Sequence, residues 1–292
     1  VALISVCLVA AGGEALGDQT LFMWRPRASL RGVWKRYVAI GDSFTEGLMD
    51  EARDDGRHRG WADRLAQKLA DHAAVEGLAS ISYANVAIRG RLLADVMSQQ
   101  VPVAEALKPD LVSLAAGVND CLRREFPVAE IATDLEVGVR RLTEGGAHVL
   151  LFAYGDPSRR SRVLGRIKER IVVLNAITED VAQRYGCDVV RYWDAAVMDD
   201  DRLWDADRLH LSPRGHALAA ESAWEALGLG SAQWRTPLAP GPHRGPIDRA
   251  GSDLAWLKAH ALPWIGRRLR GRSSGDSVTP KNPQWVTVTA SG

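Results

Sequence analysis

Short apolar runs alternate along the chain with longer segments in which apolar positions recur every three or four residues, from about Lys35 to Leu227. The short runs, at 36–40, 81–86, 111–116, 148–154 and 188–192, predict strands. Between them lie one-sided stripes: Trp61, Leu65 and Leu69; Val128, Ile131, Leu135, Val139 and Leu142; Ile167, Ile171, Leu174, Ile177 and Val181. Each stripe predicts a helix packed on a sheet and carries no message about ligands. Gly145, Gly146 and Gly186 stand where helices should stop, because glycine adopts the left-handed cap cheaply. Ser212 and Pro213 should open the last core helix as N-cap and first helical residue. Strand alternating with helix is the pattern of an α/β fold, a three-layer α/β/α arrangement in which a doubly wound five-stranded parallel sheet is covered on both faces.

Outside this periodic stretch the chain changes character. Residues 1–34 read as an N-terminal extension, 35–230 as one folded domain, and 231–292 as a tail containing Pro, Trp and Arg. Residues 1–11 are apolar and run into small residues, resembling the later part of a secretory signal without its basic start; a disordered extension is the alternative. A cytoplasmic location is therefore expected, with secretion the alternative if that run is a truncated signal peptide. The tail offers a candidate short helix at 252–260 and a basic cluster at 265–272, the latter expected to be solvated charge rather than a membrane or nucleic-acid contact.

Composition narrows the function. A formal net charge of +1 with 25% charged residues argues against a chain dominated by nucleic-acid binding, and no stable membrane insertion is expected. Cys7, Cys121 and Cys187 are scattered, with no Cys-x-x-Cys and no histidine pairing, so neither a disulfide framework nor a metal site is expected.

The chemistry lies at three strand ends. Gly41-Asp42-Ser43 follows the first strand and presents a hydroxyl where the strand breaks; Gly117-Val118-Asn119-Asp120 closes the third; Asp207-Arg208-Leu209-His210 comes near the end of the domain. In a doubly wound sheet with flavodoxin-like strand order, strands one and three are neighbours and the cleft opens between them at their carboxyl ends, so Ser43, Asn119 and Gly90 converge. Serine needs a base to become a nucleophile, and His210 can serve, with Asp207 on its other ring nitrogen. The oxyanion of acyl transfer needs donors, for which the backbone N–H groups of Ser43 and Gly90 and the side-chain amide of Asn119 are the candidates.

These blocks carry a family resemblance. Gly41 to Ser43, Asn85 to Gly90, Gly117 to Asp120 and Asp207 to His210 together resemble the blocks of the SGNH hydrolases, also called GDSL esterases or lipases, with Ser43, Gly90, Asn119 and His210 in order. The resemblance covers about 36–227 and implies a lipase-like serine esterase with the SGNH hydrolase fold, acting through an acyl-enzyme on a small-molecule ester, with no cofactor or metal. The absence of an obvious long apolar lid favours short acyl groups. An acyltransferase using the same triad is the alternative, and a non-catalytic glycan- or membrane-binding module on a hydrolase scaffold is the second.

Individual residues have plainer readings. Ser43 could cap a turn and Asn119 could be a left-handed turn residue. His216 competes with His210 and is expected to pack; Asp205 competes with Asp207. Asp42 is expected to bond backbone or a neighbouring loop, and Cys121 to be a small buried thiol. Arg159, Arg160, Arg162, Arg166, Lys168 and Arg170 either form a solvated helix face or line the cleft against an anionic substrate, the former being the expectation.

Overall fold

The computed structural model describes residues 33–161, 163–239 and 275–291. The expectations for residues 1–11, for a helix at 252–260 and for the basic cluster at 265–272 lie outside the described residues, as do Cys7 and Arg162.

In chain order the elements are β1 (Arg36–Gly41), α1 (Ser43–Glu46), α2 (Gly60–Val75), β2 (Ser80–Asn85) and α3 (Leu93–Asp95). A π-helical turn (Val96–Gln100) joins α3 to α4 (Val101–Leu107), followed by β3 (Leu111–Ala115), α5 (Val118–Cys121), α6 (Val128–Glu144) and β4 (His148–Ala153). Then come α7 (Lys168–Tyr185), β5 (Asp188–Arg191), α8 (Pro213–Ala226) and β6 (Asn282–Thr289).

The sheet order is β5-β4-β3-β1-β2-β6. The pairs β1/β2, β1/β3, β3/β4 and β4/β5 are parallel, as the alternation of strand and helix requires. Strand order reverses at β1, so the crevice opens between the carboxyl ends of β1 and β3. The expected five parallel strands are thus present, and a sixth joins them: β6 pairs antiparallel with β2, with Ile81 opposite Val288 and Tyr83 opposite Val286. Residues 282–289, within the expected tail, therefore form an edge strand of the sheet.

Because side chains alternate along a strand, each strand feeds two cores. Tyr37 and Ala39 of β1 face a cluster with Trp61, Leu65, Leu69 and Ala219, between the sheet and the pair α2 and α8. Val38 and Ile40 face the opposite cluster with Ile131, Leu135, Val139, Ile171, Leu174 and Val181 of α6 and α7. The predicted stripes are these faces, except that Val128 at the start of α6 is exposed. Each fully buried Leu, Ile or Trp contributes roughly 2 kcal/mol of transfer free energy, so both faces are needed to hold the sheet. Gly186 ends α7 at φ 66°, and Ser212 caps α8 by accepting from the Gly215 N–H.

Candidate active site

The break after β1 is built around Gly41. Its φ is +147°, and a Cβ there would overlap the Ala115 carbonyl and come within 2.7 Å of Thr45 Oγ1, so β1 can turn beside β3 only with glycine. The Gly41 N–H donates to Gln100 Oε1 at 2.8 Å, and Gln100 Nε2 donates back to the Gly41 carbonyl at 2.9 Å. Gln100 is the last residue of the π-helical turn. Asp42 then caps α1, its Oδ1 accepting from the Phe44 N–H at 3.0 Å. Ser43 is consequently the first residue of α1, at the carboxyl end of the sheet. Burial pushes the Asp42 carboxyl up to about 6, with the Phe44 N–H and His210 opposing the rise.

Asp207 and His210 sit on a turn whose base is closed by a bridge between Trp204 and Leu211 and by the Asp205 N–H donating to the His210 carbonyl at 2.9 Å. Arg208 takes a left-handed conformation, φ 55°, to make the turn. His210 Nδ1 is 2.5 Å from Asp207 Oδ2, and His210 Nε2 is 3.0 Å from Ser43 Oγ. Asp207 Oδ1 accepts the backbone N–H groups of Leu209 and His210, both at 2.9 Å. Burial alone would raise the Asp207 carboxyl, but the bonds from the His210 side chain and these N–H groups outweigh it and hold the group below its usual value. A carboxylate at Asp207 fixes a proton on Nδ1, leaving Nε2 as an acceptor facing the serine.

Gly90 has φ 75°, which a residue with a side chain rarely adopts. The N–H groups of Ser43 and Gly90 donate to no acceptor among the described residues. Asn119, in α5, donates its side-chain amide to Asp42 Oδ2 at 3.0 Å and to the Arg91 carbonyl at 3.1 Å. The amide nitrogen thus joins the segment after β1 to the segment after β2. Gly117, φ 100°, precedes α5 and packs against Leu174 so tightly that a Cβ would approach Leu174 Cδ1 to 2.8 Å. Asp120 accepts the Leu93 N–H at 3.0 Å, and burial pushes its carboxyl up to about 6.

The competing residues do other work. His216 is buried, donates from Nε2 to the Leu48 carbonyl at 3.0 Å and accepts the Trp61 N–H on Nδ1 at 3.3 Å; burial pushes it down to about 4, so it is a neutral packing residue. Cys121 is a buried thiol pushed up to about 12 by burial. The arginine-rich stretch is less solvated than expected, because several members brace the loops of the site. Arg160 stacks on Trp204, 3.3 Å from the ring centroid, and donates to the Arg208 carbonyl at 3.1 Å. Arg170 donates to the Cys121 carbonyl at 3.2 Å, the Arg124 carbonyl at 3.1 Å and the Arg123 carbonyl. Lys168 pairs with Asp156 at 2.8 Å. Gln100 and Glu46 are supporting residues that lie outside the blocks of sequence, and Asp120 is a block residue whose bond to Leu93 the blocks do not announce. Among the described residues no group of three His, Cys, Asp or Glu side chains could hold a metal ion, and no helix is long and apolar enough to cross a membrane.

Strand order and cleft define an α/β hydrolase of the SGNH type. The GDSL-like lipase/acylhydrolase family matches residues 39–218, and the chain belongs to that family, as a carboxylic ester hydrolase. Among solved structures it resembles the acetylxylan esterase of Geobacillus stearothermophilus, with 18% identity, TM-score 0.56, and 68% of this chain and 97% of that one covered. The lipase/acylhydrolase of Enterococcus faecalis is 25% identical, TM-score 0.53, with 66% and 96% covered. TesA is 24% identical, TM-score 0.51, with 65% and 97% covered. No curated protein matches the sequence.

Proposed function

We propose that this chain is a serine esterase that hydrolyses small-molecule carboxylic esters of short acyl groups through an acyl-enzyme. The observation that carries the reading is the contact of Ser43 Oγ with His210 Nε2 at 3.0 Å while Asp207 holds the opposite ring nitrogen. In the cycle, Ser43 Oγ attacks the ester carbonyl as His210 takes its proton, and the imidazolium is stabilised by Asp207. The oxyanion is received by the uncommitted N–H groups of Ser43 and Gly90 and by the Asn119 amide, which shares a hydrogen now held by Asp42 or the Arg91 carbonyl. His210 returns its proton to the leaving alcohol, and water repeats the steps on the acyl-enzyme.

The short-acyl reading is supported by the acetyl group in the name of one structural relative. Hydrolysis of p-nitrophenyl acetate by the protein and by Ser43→Ala tests the reading: activity should vanish in the variant, and retained activity would require another nucleophile.

A further inference from the structure

The segment from Gly275 into β6 crosses the loops of the active site before it joins the sheet. Gly275 lies on the loop that leads to Gly90: a Cβ there would overlap the Arg89 carbonyl and reach 2.9 Å from Ile88 Cγ2. Lys281, at the entrance to β6, is buried. Its Nζ donates to the carbonyls of Glu46 at 2.7 Å, Arg59 at 2.8 Å and His58 at 3.1 Å, and pairs with Asp63. A buried ammonium is costly unless its N–H groups are all matched, and here four oxygens surround it. Such a cage holds the segments that form it in register.

Glu46 is the last residue of the single-turn helix that begins at Ser43, and the N–H groups of Gly47 and Leu48 both donate to the Ser43 carbonyl at 3.1 Å. The other two carbonyls belong to the entrance of α2, where Gly60 meets Gly47 so closely that a Cβ on either would overlap the other's Cα or lie within 2.6 Å of it. Glu46 also reaches forward: its carboxylate accepts the Arg89 N–H at 2.7 Å and Arg89 Nε at 2.9 Å. A contact path therefore runs from Lys281 through Glu46 to Ser43 on one side and to Arg89 and Gly90 on the other.

We propose that Lys281 is a positioning residue for the reaction, holding the carbonyl end of α1 so that Ser43 keeps its distance to His210 and its alignment with Gly90. The C-terminal strand is then a working part of the active site. This rests on the reading of Ser43 as the nucleophile, so Ser43→Ala is run beside every variant.

The test compares Asp63→Asn, Asp63→Asn/Lys281→Met and Asp63→Asn/Lys281→Gln in p-nitrophenyl acetate hydrolysis, with melting temperature recorded for each. The paired substitutions avoid stranding a buried Asp63 charge; methionine fills the space, and glutamine remains polar but is one atom shorter than lysine. Asp63→Asn keeps an oxygen and the three carbonyls around Nζ but removes the counter-ion of a buried ammonium, so it is the reference for the loss of charge, and the double variants are compared with it. Both double variants should lose kcat by about tenfold or more, with KM changed less than about threefold, because small misplacements of a reacting group are read in kcat. Fluorophosphonate labelling of Ser43 should slow by a similar factor. A merely structural lysine would lower the melting temperature while kcat, measured well below it, stayed near that of Asp63→Asn. That result in either folded double variant overturns the proposal. Survival of activity in Ser43→Ala would instead remove the nucleophile reading.

Discussion

Asn119 donates its side-chain amide to the carboxylate of Asp42 at 3.0 Å, so the residue preceding the proposed nucleophile and the proposed oxyanion donor are directly bonded. Asp42 faces two ways, capping α1 through Oδ1 and holding Asn119 through Oδ2. The pair fixes the orientation of the Asn119 amide, since only nitrogen can donate to a carboxylate and to the Arg91 carbonyl.

Asn119→Ala should therefore lower kcat by roughly 10²- to 10³-fold with little change in KM, the usual cost of an oxyanion donor. Asp42→Asn should lower it less, by about five- to tenfold, because a neutral acceptor replaces a charged one at a cost of about 1 kcal/mol. Steady-state kinetics on p-nitrophenyl acetate measure both. An Asn119→Ala enzyme with parental kcat would take Asn119 out of the oxyanion hole.

Gln100→Ala should destabilise the protein by about 2 kcal/mol, because it strips the buried Gly41 N–H of its acceptor. The Gly41 carbonyl would keep the Ile88 N–H at 3.3 Å, which limits the loss. Urea denaturation measures the difference; a change below about 0.5 kcal/mol would mean the clamp is redundant.

His216 should make stability fall as pH drops below its ordinary titration range. Burial lowers it to about 4, against the usual 6.5, with Asp50 opposing the shift and Lys281 and Arg64 reinforcing it. Between those values the unfolded chain binds the proton and the folded one does not, so this residue's contribution falls as pH drops from about 6.5 to about 4. The full effect is about 3 kcal/mol. His216→Asn lacks it, so the stability gap between parent and variant should narrow across that window in urea titrations. A gap independent of pH would contradict a neutral, buried His216.

For the substrate, kcat/KM should fall along p-nitrophenyl acetate, butyrate and octanoate. Rates that rise with chain length would reveal an apolar acyl pocket and overturn the short-acyl reading.

Much of this was legible in the sequence because it is local. The helix stripes and strand runs follow from periodicity, and Ser43, Asn119 and His210 stand at strand ends or in turns marked by glycine or aspartate. Gln100 was not legible: its partner Gly41 is distant in sequence, and a π-helical turn shifts the residue off an α-helical stripe. β6 was hidden because the pairing joins Ile81 to Val288, and a solvent-facing edge strand shows no apolar run. The Val286-Thr287-Val288-Thr289 alternation of β-branched residues was the available signal, outweighed by the Pro, Gly and Arg before it. The role of Arg160 and Arg170 was likewise invisible, since a guanidinium that braces loop carbonyls has the same sequence signature as one in water.

The central claim is that Ser43, activated by His210, is the group that attacks the ester. Incubation with a fluorophosphonate followed by peptide mass spectrometry tests it most directly. Labelling should be stoichiometric at Ser43, strongly slowed in His210→Ala and absent in Ser43→Ala. Label on another residue, or none on Ser43 in an enzyme that hydrolyses p-nitrophenyl acetate, would contradict it.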